Sequence, residues 1–265
     1  MSALPDLPAG LPPPVSAEAL SGGSIAAVWH ATLRDGREVV IKDGTTPAEL
    51  EAEGLEALRT AGGPVPAVLG YTGTVLVLEH LDGPRGDRRE LGRALARVHG
   101  TTDQRFGWHR DNVIGPLPQP NPRMTAWPTF LIEARLRPHL DVLPTDLARR
   151  LEHAIESGAV RDLADHDGPP SLVHGDLWSG NVHLDRWLLD PAVHHADREV
   201  DLAMLELFGS VGAAMHDGYR EVWPLDPGWE RRQPLLQLPP LLVHVHLFGA
   251  SYHHAVRARL DTLGW

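Results

Sequence analysis

The 265-residue chain carries 24 Lys and Arg against 35 Asp and Glu, a formal charge of −11, with 42% hydrophobic and 22% charged residues. That composition belongs to a folded globular protein, and its acidic balance argues against nucleic acid as the main partner, since a duplex-binding surface needs clustered positive charge. The absence of cysteine removes disulfides, thiolate zinc sites, iron–sulfur clusters and thiol nucleophiles together.

The opening MSALPDLPAGLPPP is proline-rich and the first basic residue is Arg34, so residues 1–14 lack the basic start and apolar stretch of a secretory signal. They read as a segment apart. No apolar run reaches the roughly 18 residues of a membrane span, and a cytoplasmic protein without membrane contact is the expectation. Ser21-Gly22-Gly23-Ser24 predicts a glycine turn ahead of an apolar strand over 25–33. Asp35-Gly36 then supplies a tight hairpin turn, and 38–42 is the returning strand. It ends at Lys42, the one lysine among 24 basic residues. At that position a compact ammonium is expected to do what a planar guanidinium does not.

Thr46-Pro47-Ala48-Glu49 has the order of a helix start, with Thr as cap, Pro at the first helical position and Glu three residues after the cap. The helix should run through Glu51, Glu53, Leu55 and Leu58 to Gly62-Gly63. Two short apolar stretches follow, and the second, near 75–78, opens into a hinge at 79–82. Residues 15–82 are thus expected to form a small sheet-based lobe and 83–265 a mainly helical one. In the latter, Leu91, Leu95 and Val98 recur at i, i+4 and i+7 before a stop at Gly100. Residues 106–122 are too rich in Gly and Pro for regular structure. Helical patterning returns near 128–140, 145–158, 200–216 and 240–260.

The densest chemistry lies in His174-Gly175-Asp176-Leu177-Trp178-Ser179-Gly180-Asn181, followed by an apolar hairpin over 182–189 and by Asp190-Pro191. An Asp, an Asn five residues on, and a second Asp at a strand end match the catalytic and metal loops of kinases. Phosphoryl transfer needs a carboxylate beside the attacking hydroxyl and separate hard oxygen ligands for Mg²⁺. Asp176 suits the first duty, and Asn181 and Asp190 the second. Lys42, ending a Val-Val-Ile-Lys strand, suits the ATP phosphates. Its carboxylate partner is expected to be Glu51, which shares a helix face with Leu55 and Leu58; Glu53 is the alternative. The chain has no Walker A, G-x-G-x-x-G, G-x-S-x-G or H-E-x-x-H motif. His194-His195, His244, His246 and His253-His254 lack the spacing that converges on one metal ion.

These residues resemble the fructosamine kinase (ketosamine-3-kinase) family, a branch related to aminoglycoside phosphotransferases. The resemblance rests on the 174–181 motif, on Asp190-Pro-Ala-Val-His-His-Ala-Asp-Arg-Glu-Val-Asp-Leu-Ala-Met-Leu-Glu-Leu-Phe-Gly209 and on Leu241-Leu-Val-His-Val-His-Leu-Phe-Gly249. Phe106-Gly107, Asp111-Asn112, Ile114-Gly115 and Gln119-Pro-Asn121 also match. It spans residue 15 to the C-terminus. It implies an α+β, bilobal, protein-kinase-like fold with an antiparallel-sheet N-lobe and a helical C-lobe. ATP would lie under Gly22, Gly23 and Ser24, its adenine against the backbone of Glu79, His80 and Leu81. The implied reaction is phosphorylation of a hydroxyl, typically the 3-hydroxyl, of a small ketosamine or glycated amine, with deglycation as the outcome. Trp178 would line the sugar site and His244 would face the substrate cleft. Two departures stand out. The stretch from Asn181 to Asp190 is a few residues short, which demands a very tight turn at Asp185-Arg186. Ser24 stands where some relatives carry a redox-active cysteine, so that mode of control should be absent. Other acceptors in view are an aminoglycoside-type amino-sugar or a choline-type amino-alcohol; a catalytically silent nucleotide-binding regulator is the reading outside enzymes.

Overall fold

The computed structural model describes residues 4–20, 26–208 and 213–265; the expected glycine turn with Gly22, Gly23 and Ser24 lies outside them. The fold is α+β and two-lobed. In the N-lobe, β1 (Pro14–Ala19), β2 (Ala27–Leu33), β3 (Glu38–Asp43), β4 (Val68–Thr72) and β5 (Val75–Glu79) form an antiparallel sheet of order β1-β2-β3-β5-β4. Helix α1 (Ala48–Thr60) connects β3 to β4.

Alternation along the strands decides what each face meets. Val39 and Ile41 join Trp29, Ala31, Leu33, Val75 and Val77 on one face, covered by Leu4, Leu7 and Leu11 of the proline-rich segment. Pro8 sits over Gly70, 3.2 Å from where a Cβ would stand. Residues 4–11 therefore close the outer side of the sheet rather than trailing from it. Val40, Leu76 and Leu78 belong to the opposite side, packed with Ala48, Ala52, Leu55 and Leu58 of α1. Lys42, in phase with Val40, shares that inner face.

Two local expectations, the Thr46 cap and the capping role of Glu49, are corrected here, and one strand is added. Strand β1 escapes the hydrophobic pattern because it is an edge strand exposed along almost its whole length. Thr46 does not cap α1: Pro47 occupies the cap position without a side-chain bond, and the Ala48 amide is satisfied by the Gly73 carbonyl at 2.9 Å. Glu49, free of a capping role, pairs with Arg110 at 3.1 Å.

The C-lobe opens with α2 (Arg88–His99), capped by Asp87, whose side chain accepts from the Arg89 amide at 2.8 Å, and ending at Gly100. Residues 106–122 are not wholly irregular: β6 (Asn112–Ile114) and β7 (Leu117–Gln119) pair as a small hairpin. Pro118 hides it, being tolerated because a two-stranded hairpin leaves outer edges that need no donor. Helix α3 (Trp127–Phe130) tightens through a π turn (Leu131–Leu136) and a 3₁₀ turn (Arg137–Val142). Then come α4 (Thr145–Glu156), α5 (Ala159–Ala164), β8 (Ser171–Val173), β9 (Val182–His183), β10 (Trp187–Leu188), β11 (His194–Ala196), α6 (Glu199–Leu205), α7 (Ala213–Val222), α8 (Trp229–Leu236), α9 (Leu238–Phe248) and α10 (His253–Leu263). Short α5 and α8 carry too few turns to declare a period. The stretch 240–260 breaks at Gly249, whose φ of +71° ends α9. One continuous core joins α1 to the C-lobe helices and to Leu172, Val173 and Leu177 in and beside the 174–181 motif. Among the described residues no helix is long and apolar enough to cross a membrane.

Candidate active site

Strand β8 pairs antiparallel with β11, Val173 opposite His194, and the chain turns sharply after it. Gly175 has φ +82°, and a Cβ there would lie 2.2 Å from the Ala192 carbonyl oxygen. Only glycine passes. Gly175→Ala is expected to lower the melting temperature by at least about 5 °C, since left-handed strain and a backbone clash combine; calorimetry checks this.

The turn is anchored by Asp201, a residue that the motif spacing did not single out and that is only 1% exposed. Its two carboxylate oxygens accept from the amides of His174 (2.7 Å) and Gly175 (2.9 Å), and His99 Nε2 lies 3.1 Å away. Burial would raise its pKa, but His99, His174 and the Gly175 amide outweigh it and hold the carboxyl below its ordinary value. The fully buried His174 donates from Nε2 to the Leu189 carbonyl at 2.9 Å, and burial holds its pKa down. The imidazole is therefore a neutral strut between the loop and the following hairpin.

Asp176 emerges from this turn half-buried. The Asn181 side-chain amide donates to the Asp176 carbonyl at 2.8 Å and to its carboxylate at 3.1 Å. Burial first, and then the negative charge of Asp190, push the Asp176 carboxyl up to about 7. With its NH₂ spent on Asp176, the buried Asn181 keeps its side-chain oxygen as the one hard donor atom it could offer.

The short hairpin closes. Its turn is centred on Leu184 and Asp185, one residue earlier than Asp185-Arg186, with φ of 51° and 53° and the Arg186 amide donating to the His183 carbonyl at 3.0 Å. Positive φ at both central residues gives the twist that a two-stranded hairpin needs, at roughly 1 kcal/mol for a leucine. External clamps offset that strain: Arg85 and Arg88 bind Asp185 at 2.6 and 2.7 Å, and the Gly86 amide binds the Leu184 carbonyl at 2.8 Å. The Leu189 amide bonds the Asn181 carbonyl at 3.0 Å, which brings Asp190 back to the mouth of the loop.

Asp190, itself at φ 55°, meets the N-lobe. Lys42 Nζ lies 2.8 Å from Asp190 Oδ1 and 2.7 Å from Glu51 Oε2. Burial alone would depress the Lys42 ammonium; the two carboxylates outweigh it, and its pKa sits above the ordinary lysine value. Glu51 is pushed up by burial and pulled down by Lys42. Glu53 points elsewhere, to Trp108, His109 and Arg110. Asp190 remains 52% exposed while its Oδ1 is held by Lys42.

At the hinge, the Glu79 amide is taken by the Ala67 carbonyl at 2.9 Å and its carboxylate receives the Ala67 amide at 3.1 Å. His80 donates weakly to the Glu38 carbonyl at 3.4 Å and stacks on His30. The Leu81 amide has no hydrogen-bond partner among the described residues. On the far side of Asp176, Trp178 is 38% exposed. Trp178 and His244 both contact Phe208, with ring centroids 6.4 and 4.2 Å away, and Phe248 and Tyr252 extend the aromatic wall. Burial lowers the His244 pKa, and its Nδ1 donates to the Pro240 carbonyl at 2.7 Å.

Among the described residues one other group could hold a cation, His166, Asp197 and Glu199. None of the paired histidines belongs to it. Glu199 is already held by Arg232 through two bonds of 2.7 Å and His166 by Asp197, so the group reads as a buried polar strut under α6.

The family model described as fructosamine kinase matches residues 13–263. A probable ketoamine kinase of a Synechocystis species is 39% identical over 227 residues, covering 80% of this chain and 77% of that protein. One of Escherichia coli K12 is 34% identical over 262 residues, covering 92% and 91%. The crystal structure of a provisionally named fructosamine-3-kinase from Thermobifida fusca superposes with a TM-score of 0.87 at 35% identity, covering 94% and 93% of the two chains. A choline/ethanolamine kinase family protein from Mesorhizobium loti, at 18% identity and TM-score 0.62 over 96% and 89%, shares the fold.

Proposed function

The chain belongs to the fructosamine kinase family, and from that premise we propose that it transfers the γ-phosphoryl group of ATP to a hydroxyl of a small ketosamine, the 3-hydroxyl being the target. The observation that carries this reading is the meeting of Lys42, Glu51 and Asp190 next to the Asp176–Asn181 pair. Lys42, oriented by Glu51, engages the phosphates. The Leu81 amide offers the free donor for the adenine edge within 79–81. Gly22, Gly23 and Ser24 are assigned to the phosphate cover on the resemblance alone.

Asp176 positions the acceptor hydroxyl and takes its proton as the oxygen bonds the phosphorus; the bond to the ADP oxygen breaks and ADP leaves. The side-chain oxygen of Asn181, whose NH₂ is spent on Asp176, and the Asp190 oxygen that Lys42 does not hold are hard donors of the kind that fits Mg²⁺. When bound there, the ion supplies charge neutralisation on the phosphates. Around it, the chain's own groups perform the rest: Asp201 and His174 hold the loop rigid, and Asp190 shares its other oxygen with Lys42.

The acceptor lies against Trp178 and His244. An indole covers a sugar face, and the acidic cleft attracts the protonated amine. Trp178→Ala is expected to raise the ketosamine KM about tenfold while the nucleotide Kd and melting temperature stay near wild type; a large thermal loss with unchanged KM would make Trp178 a wedge under the loop instead. The deciding experiment is coupled-assay turnover on a fructosamine and a ribulosamine, with kanamycin and choline as counter-substrates. Turnover of a counter-substrate with none on the ketosamines would overturn the acceptor assignment and leave the phosphotransfer chemistry standing.

A further inference from the structure

Glu51 and Glu53 are two residues apart, so they leave α1 about 200° apart around its axis. Glu51 reaches Lys42. Glu53 reaches the C-lobe: its Oε1 accepts from Trp108 Nε1 at 2.6 Å and lies 3.1 Å from His109 Nε2, and its Oε2 lies 2.5 Å from Arg110 Nη2. Glu49, one turn earlier on the same stripe, lies 3.1 Å from Arg110 Nη1. The loop that receives them is built in. Gly107 and His195 exchange amide–carbonyl bonds of 2.8 and 2.9 Å, the Trp108 amide donates to the Asn121 carbonyl at 3.2 Å, and the Trp108 ring lies 5.2 Å from that of His195. The next residue of the helix, Gly54, presses on the connection between β10 and β11 that carries Asp190: a Cβ there would stand 3.2 Å from Pro191 and 3.4 Å from Val193.

Helix α1 is thus held from the side away from Lys42 by groups that belong to the other lobe. A helix carried only by its own sheet is free to roll, and a roll of a few tens of degrees would swing Glu51 off Lys42. We propose that Glu53, with Trp108 and Arg110, is a positioning latch: it fixes the rotation of α1 and so keeps the Glu51–Lys42 pair closed before nucleotide arrives. A guanidinium, an indole N–H and an imidazole gathered on one half-buried carboxylate are strong enough to set a helix rotation. The inference rests on the phosphotransfer reading, since it is the Lys42 pair that the latch serves. It also assigns a task to residues 106–110, which otherwise lie outside the reaction.

The test is a double-mutant cycle on the full chain. Glu53→Gln and Trp108→Phe, alone and combined with Glu51→Gln, are measured for binding of the magnesium complex of a non-hydrolysable ATP analogue by titration calorimetry, and for melting temperature. Each latch variant alone is expected to raise Kd about fivefold to tenfold, and to change it by less than about twofold once Glu51 is already Gln. A residue that merely cements the lobes would weaken binding by the same factor in both backgrounds, whatever it does to melting. That result, or wild-type Kd in both latch variants, overturns the latch while leaving the kinase reading intact. Failure of the wild-type protein to bind the analogue sinks both.

Discussion

Asp176→Asn is expected to lower turnover by about three orders of magnitude while the Kd of the magnesium–nucleotide complex stays within about twofold of wild type. The substitution preserves shape, and Asn181 still finds an oxygen at position 176 to donate to. What it removes is the carboxylate proposed to take the proton of the acceptor. A pH profile separates this role from a structural one. Burial and the Asp190 charge lift the Asp176 carboxyl to about 7, and the active form is the deprotonated one. Wild-type turnover should therefore fall as pH drops through about 7, and the residual turnover of the Asn variant should be flat across that window. Retention of most of the activity, or an unchanged acid limb, would remove Asp176 from the reaction.

Asp190→Asn should be as damaging, in a different way. Asn tolerates the left-handed backbone of position 190 better than Ala would, so the change isolates the charge from the strain. We expect the Kd of the magnesium–nucleotide complex to rise at least about tenfold and kcat/KM to fall by about three orders of magnitude. Lys42 loses one of its two carboxylates, which loosens the group held by the phosphates as well. A second signature tests the electrostatics: Asp190 is one cause of the raised Asp176 pKa, so the acid limb of the remaining turnover should move to lower pH. Nucleotide binding at wild-type strength would show that Asp190 is no cation ligand.

The parts of this site legible in the sequence are those whose members lie within one turn, one hairpin or one helical face of each other. Asp176 and Asn181 are five residues apart, and their spacing survives any rotation of the surroundings. Glu51 follows from Leu55 and Leu58, because a 3.6-residue period carries the core-facing direction along the helix. Lys42 stands out as the single lysine of the chain. The β-hairpin of β2 and β3 follows from Asp35-Gly36 for the same local reason.

Other features depend on contacts between residues far apart in the chain. Asp201 anchors the His174–Asp176 turn from 26 residues downstream of Gly175, and its carboxylate looks no different from a solvated helix charge until the fold brings two amides to it. Glu53 reads as a surface residue or as a rival partner for Lys42 until Trp108, 55 residues on, is seen to donate to it. The proline-rich start carries no period, yet its leucines cover a sheet face that alternation leaves apolar. Thr46 has the chemistry of a cap and is displaced from that duty by the Gly73 carbonyl, a backbone partner that no residue pattern records. Local sequence specifies which face of each element is apolar and where the backbone can turn. Which polar groups meet is decided only when those faces pack, because each buried donor or acceptor takes the partner that the packing puts within reach.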